Sequence, residues 1–67
     1  MALSARNQLP GTVDSIRLGE VMAEVTVAVG EHRIVSVITR GSIDELGLAA
    51  GDEVTVVIKS TEVMIAT

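Results

Sequence analysis

A chain of 67 residues without cysteine or any aromatic residue has few ways to stabilise a fold. A single core in a domain below roughly 70–80 residues seldom contributes more than about 3–5 kcal/mol. Disulfides and thiolate metal sites are excluded because cysteine is absent, and the lone histidine, His32, cannot form a histidine cluster. We therefore expect one domain, residues 1–67, that gains stability by associating with further copies of itself.

The composition favours β-structure and a cytoplasmic location. Val, Ile and Thr, the β-branched residues, make up 23 of the 67 positions. The apolar runs are too short to span a membrane, and the N-terminus lacks the cationic and apolar stretches of a signal peptide. These observations predict a cytoplasmic all-β protein with no membrane partner.

Alternating apolar residues predict the first part of a sheet. The clearest strand runs from Val21 to Val29, with apolar residues at every odd position. Gly30 and Glu31 predict a tight hairpin leading to a strand from Arg33 to Arg40. That second strand carries apolar residues on both faces, so we expect it to be central in the sheet or covered on both sides.

The other strands are predicted from weaker signals. Irregular alternation from Gly11 to Leu18 indicates a strand with a bulge. Residues 4–9 before it are expected to extend as an arm without a partner in their own chain. Two further strands are predicted, from Glu53 to Lys59 and from Glu62 to Ala66.

A single short helix is predicted between the third and fourth strands. Ser42 and Glu45 have the spacing of a capping box, so the helix is expected to begin at Ser42 and to end at Leu46. Gly47 follows at the position of a left-handed C-terminal cap. Three strands, a helix and two strands is the order of the OB-fold, a five-stranded Greek-key barrel. We predict this fold, and a small open sandwich is the alternative.

Binding of single-stranded nucleic acid, a frequent function of OB-folds, is not expected. It requires a positive groove and aromatic platforms, which contribute about 1–3 kcal/mol per stacked base. This chain has no aromatic residue and carries five Lys and Arg against nine Asp and Glu, a net charge of −4.

The few cations are placed in a way that indicates a site for a small anion. Arg6 is the only charged residue in residues 1–12, residues 32–43 contain no acid, and Lys59 is the only charged residue in residues 54–61. Each of these stretches also contains neutral hydrogen-bond donors, as an oxyanion site requires. Carboxylates more than about 8 Å away are largely screened. Because one chain offers only a couple of suitable cations, we expect a dianion to be bound by two chains.

Structural roles are the alternative for the same residues. Ser42 is expected to cap the helix, and Arg6 and Lys59 can be ordinary solvated side chains. No pairing of a nucleophile with a base, no glycine-rich phosphate loop and no metal-ligand spacing is visible in the sequence. We therefore predict that the protein is not an enzyme.

Residues 4–11, SARNQLPG, begin a series of motifs that extends along the chain. They resemble the SARNQ-x-x-G opening of the molbindin family, whose Mop domains bind molybdate. The resemblance continues through residues 37–42 (VITRGS) and 45–48 (ELGL), and it ends with residues 58–65 (IKSTEVMI). It therefore covers the whole chain, with the first motif the most specific.

The resemblance implies an OB-fold whose N-terminal segment is exchanged with a neighbouring subunit. It also implies a homo-oligomer, a hexamer built as a trimer of dimers, that holds molybdate or tungstate at its subunit interfaces. Since no helix-turn-helix or P-loop is visible and the chain begins with methionine, the free-standing form for storage and homeostasis is expected. A structural or interaction module without specific oxyanion binding is the alternative. The site residues that the resemblance implies are Ser4, Arg6, Thr39, Ser42, Lys59 and Ser60, with Asn7 as a weaker candidate.

Overall fold

The structure, a computed structural model, describes residues 3–67 and is dominated by one antiparallel sheet. The sheet has four strands in the spatial order β3-β2-β1-β4. The all-β prediction with one short helix is therefore confirmed for the described residues. The elements in chain order are β1 (Asn7–Leu18), β2 (Met22–Val29), β3 (His32–Thr39), α1 (Arg40–Leu46), β4 (Glu53–Ile58) and a 3₁₀ turn, η1 (Ser60–Glu62).

The long strand β1 connects the two halves of the sheet. Its first half pairs with β4 and its second half pairs with β2, and Thr12 lies opposite both Glu53 and Ala28. The register with β2 shifts between Val13 and Ser15, which confirms the predicted bulge. A bulge bends a strand and increases its twist, so β1 can serve both partners.

The hairpin between β2 and β3 forms as predicted. Val29 lies opposite His32, and Gly30 between them has a φ of 58°. A two-residue hairpin turn requires positive φ, which glycine adopts without a steric penalty. This turn sets the register of the whole β2–β3 ladder.

The core is small and entirely aliphatic. It lies under β1 and β2 and is closed by the helix, which contributes one buried side chain. Within residues 3–67 no polar or charged side chain is buried. The buried residues are Val13, Ala23, Val25, Val27 and Ile43.

Two predictions about the faces of the strands are wrong. The alternation puts Val21 on the apolar face of its strand, but Val21 lies before β2 in an exposed turn. The sequence predicts that β3 is central or covered on both sides, yet in the described chain it is an edge strand whose Val35 and Val37 are exposed. The sheet order explains this, because nothing in the described chain packs on the outer face of β3.

The helix begins two residues earlier than predicted, and Ser42 is not its cap. Thr39 is the N-cap residue, and its hydroxyl accepts a hydrogen bond from the Ser42 backbone N–H at 3.1 Å. An N-cap side chain bonds to the N–H two or three residues later, which places Ser42 inside the first turn. The prediction for the other end is confirmed, since Gly47 is left-handed with a φ of 62°.

The predictions for both ends of the sheet need correction. Asn7 to Leu9, expected to lack a partner in their own chain, pair with β4 of the same chain. The predicted fifth strand, from Glu62 to Ala66, is not formed in the described part of the molecule. Its first residue belongs to η1, and residues 63–67 join no ladder. The described chain thus forms a four-stranded sheet. The predicted fifth strand is not part of it, and residues 7–9 of the N-terminal segment pair within their own chain.

Candidate functional site

The residues predicted for an oxyanion site fall into two groups in the structure. One group surrounds the beginning of β1 and the end of β4, and the other lies where β3 passes into α1. The first group comprises Ser4, Arg6, Asn7, Lys59 and Ser60, and the second group comprises Thr39 and Ser42.

Strand register places Arg6 and Lys59 at the same end of the sheet. The last ladder pair between β1 and β4 is Asn7 with Ile58. Arg6 lies one residue before Asn7 on the β1 side, and Lys59 lies one residue after Ile58 on the β4 side. Both cations therefore lie just beyond the same end of the β1–β4 ladder. The Asn7 amide Nδ2 donates to the Ile58 carbonyl oxygen at 3.3 Å, so Asn7 braces this end of the sheet.

Neither cation of the first group forms a salt bridge within residues 3–67. The only salt bridge in residues 3–67 joins Arg33 Nε to Asp14 Oδ2 at 3.5 Å. The side chains of Arg6 and Lys59 are exposed, as are those of Ser4 and Ser60. Two cations with adjacent hydroxyl groups and no carboxylate partner have the chemistry that charge-assisted binding of an oxyanion requires.

The second group consists of two hydroxyl groups that are hydrogen-bonded to each other. Thr39 Oγ1 and Ser42 Oγ lie 2.8 Å apart, and Thr39 also accepts the Ser42 backbone N–H. Each hydroxyl carries one proton, and one of the two is used in the bond between them. The pair therefore has one hydroxyl proton free to donate to a ligand, whichever residue supplies it.

We expect Thr39→Ala to lower the free energy of unfolding by about 1 kcal/mol, because it removes the N-cap acceptor of α1. Thr39→Ser retains the hydroxyl and is expected to stay close to the parent. Urea unfolding followed by far-ultraviolet circular dichroism, at one protein concentration, measures both. Equal stability of the alanine and serine variants would contradict the capping role.

The two groups lie at opposite ends of β1. Asn7 begins that strand, and Leu18 ends it opposite Ala23. The residue before Ala23, Met22, pairs with Thr39, so Thr39 lies near the Leu18 end. No hydrogen bond or salt bridge joins the groups in the part of the chain that the structure describes. A single chain therefore keeps the two groups of candidate residues apart.

Arg40 has a structural role that the sequence did not reveal. Its backbone N–H donates to the Val21 carbonyl at 2.8 Å, and its guanidinium Nη1 donates to the Gly19 carbonyl at 3.2 Å. Both bonds tie the start of α1 to the turn between β1 and β2. No local motif signals these contacts, because they join residues about twenty positions apart.

Residues 3–67 contain no group of three or more His, Asp or Glu side chains that could hold a metal ion. In the same range, no helix is both long and apolar enough to cross a membrane.

Comparison with known proteins places the chain in a family. A family model of the TOBE domain matches residues 3–65. Molybdenum-pterin-binding protein 1 of Clostridium pasteurianum is 48% identical over 66 residues, which cover 97% of each chain. The solved structure of a molybdate-binding protein from Sporomusa ovata matches with a TM-score of 0.96 at 37% identity, covering 100% of both chains.

A longer protein shares the same fold over part of its length. The structure of the cytoplasmic molybdate-binding protein ModG, with molybdate bound, matches with a TM-score of 0.84 at 46% identity. The match covers 90% of this chain and 43% of that one. The chain thus belongs to the TOBE domain family, and the prediction that it is a molbindin, a Mop-type member of that family, is confirmed.

Proposed function

We propose that this protein binds molybdate reversibly and without covalent chemistry. The observation that carries the proposal is that Arg6 and Lys59 both lie just beyond the Asn7–Ile58 pair and that neither forms a salt bridge within residues 3–67. The relatives support it, since molybdate binding is named for the Sporomusa ovata and ModG structures. Tungstate, a tetrahedral dianion of the same charge, would use the same donors.

The binding site is composite and lies between subunits. Arg6 and Lys59 supply charge, Ser4 and Ser60 supply hydroxyl donors, and Asn7 holds the strand end. The free hydroxyl proton of the Thr39–Ser42 pair comes from a second copy, because the two groups lie at opposite ends of β1. A donor-only site disfavours hydrogen phosphate, whose own proton would need an acceptor.

The functional form is a homo-oligomer of single-domain chains, residues 1–67, in which the sheet closes into a five-stranded OB barrel. A hexamer built as a trimer of dimers provides repeated interfaces for the anion. The role is storage and homeostasis of molybdate in the cytoplasm. ModG is likewise a cytoplasmic molybdate-binding protein. The protein acts as a binder and not as an enzyme.

Titration calorimetry with molybdate and with sulfate tests the proposal on the parent protein. We expect saturable heat with molybdate and a much weaker response with sulfate at equal concentration and ionic strength. Equal, weak heats for the two anions would reject specific binding. Molybdenum retained by protein purified from molybdate-supplemented cells would support the storage role.

A structural module is the second candidate, favoured by the exposed apolar surface. Leu18, Val35 and Val37 are exposed although the core is small. A scaffold that assembles without a ligand would show no change in unfolding temperature on addition of molybdate, whereas a binder is stabilised by it. Thermal unfolding with and without molybdate separates the two functions.

A further inference from the structure

One carboxylate borders the proposed anion site. Residues 54–61 contain Lys59 and no acid, and Glu62 directly ends that stretch. Glu62 is therefore the acid nearest to Lys59 along the chain, three residues away, whereas Glu53 is six residues away. A carboxylate this close to a cation that binds a dianion must act on the same dianion.

A tight turn holds Glu62 beside Lys59. The Glu62 backbone N–H donates to the Lys59 carbonyl oxygen at 2.9 Å, so the two residues are the first and the fourth of one hydrogen-bonded turn. The turn is 3₁₀, in which three residues complete one turn and advance by about 6 Å. The backbone thus fixes the separation of the two charged residues, however their side chains rotate.

The Glu62 side chain is exposed, and its carboxylate forms no salt bridge within residues 3–67. The acid nearest along the chain to the other cation of the site, Arg6, is Asp14. Asp14 differs from Glu62 because it pairs with Arg33 at 3.5 Å. The negative charge of Glu62 therefore acts on the surroundings of Lys59 without a cationic partner in the described chain.

The distance decides how strongly this charge acts. A separation of about 6 Å is shorter than the screening length of about 8 Å at physiological ionic strength, so salt weakens the repulsion without removing it. Both charges of a dianion feel it. Glu53 lies at the opposite end of the β1–β4 ladder, roughly 17 Å from Ile58, where its effect is largely screened.

We propose that Glu62 lowers the affinity of the site for its oxyanion and so promotes release of the ion. This inference rests on the proposed function, in which Lys59 binds molybdate. Lys59 attracts the dianion and Glu62, in the same turn, repels it, so the affinity is set by the balance of the two. A store has to release its ion, and this fixed charge favours release without any moving element.

Neutral variants test the proposal by titration calorimetry with molybdate. At about 0.15 M ionic strength, Glu62→Gln is expected to bind about three to ten times more tightly than the parent protein. Glu53→Gln removes the same charge at the distant end of β4 and is expected to stay within about twofold of the parent. Glu62→Asp retains the charge and is expected to bind like the parent.

Salt provides a second readout, which a merely structural role of Glu62 would not affect. At about 1 M ionic strength the screening length falls to about 3 Å, so the gain in Glu62→Gln is expected to shrink to less than about twofold. Urea unfolding of each variant checks that the fold persists. Glu62→Ser, a second neutral variant, is expected to show the same gain and the same loss of it in salt.

The outcomes separate this inference from the proposed function. If the parent binds molybdate but both neutral variants bind equally well or more weakly, Glu62 does not limit the affinity. An equal gain in Glu53→Gln, or a gain that persists at 1 M ionic strength, also overturns the inference, and in each of these cases the proposed function stands. A parent without saturable heat overturns the proposed function and the role of Glu62 together.

Discussion

Arg6→Ala is expected to bind molybdate about 10–100 times more weakly than the parent protein. A hydrogen bond to a charged group contributes about 1.5–3 kcal/mol, and each 1.4 kcal/mol corresponds to a factor of ten in the dissociation constant. Arg6 is exposed and makes no salt bridge in the described residues, so its removal leaves no buried carboxylate unpaired. The fold and the assembly should therefore persist. Lys59→Ala is expected to behave in the same way.

Arg33→Ala is the matched control for this result. Like Arg6→Ala, it removes one positive charge from the protein. Arg33, however, lies near the β2–β3 hairpin, where it forms a salt bridge with Asp14. Calorimetric titration of the variants with molybdate at constant ionic strength compares them. Unchanged affinity in Arg6→Ala would remove Arg6 from the site. Equal weakening in Arg33→Ala would show that net charge, and not a local contact, governs binding.

Features that depend on neighbouring residues could be predicted from the sequence. The β2–β3 hairpin follows from Gly30 between two alternating segments, and the end of the helix follows from Gly47. The irregular alternation from Gly11 to Leu18 predicts a bulge in β1, and the structure locates it between Val13 and Ser15. In each case the signal and the structure it specifies lie within a few residues of one another.

The start of the helix was mispredicted because two local signals compete. Ser42 and Glu45 have the spacing of a capping box, whereas Thr39 is a suitable N-cap residue that has Ser42, not Glu or Gln, three positions later. The earlier start is supported by Arg40, which bonds to the carbonyls of Gly19 and Val21. Those carbonyls lie in a turn that is distant in sequence, so the local pattern could not favour Thr39.

The edges of the sheet depend on contacts between distant segments. The apolar residues on both faces of β3 predict a coverage that the described chain does not supply, and the predicted strand from Glu62 to Ala66 is not formed in it. Neither expectation identifies the chain that supplies the partner. For the candidate site, the sequence singles out the residues, but only the β1–β4 register reveals that Arg6 and Lys59 flank the same ladder end and that Thr39 lies at the far end of β1.

Gly11→Ala is expected to lower the free energy of unfolding by about 2–3 kcal/mol, as overpacking in a close-packed region does. Gly11 lies where β1 passes from β4 to β2. A Cβ at this position would lie 2.6 Å from the Ala28 carbonyl oxygen and 2.8 Å from Val27 Cγ1. A backbone carbonyl in a ladder cannot move aside without disturbing the strand, so the clash must displace β1 from β2.

Gly41→Ala provides a control of the same chemistry with the opposite expected sign. A Cβ on Gly41, in the first turn of α1, would meet only Thr39 Oγ1, at an ordinary distance of 3.9 Å. Alanine is favoured over glycine in a helix by up to about 1 kcal/mol, so this variant should equal or exceed the parent in stability. Urea unfolding by far-ultraviolet circular dichroism suits a chain without aromatic residues. One fixed protein concentration is used, because the proposed assembly would make stability depend on concentration. If Gly11→Ala unfolds at the same urea concentration as Gly41→Ala, the result contradicts the close approach of Gly11 to the Ala28 carbonyl oxygen.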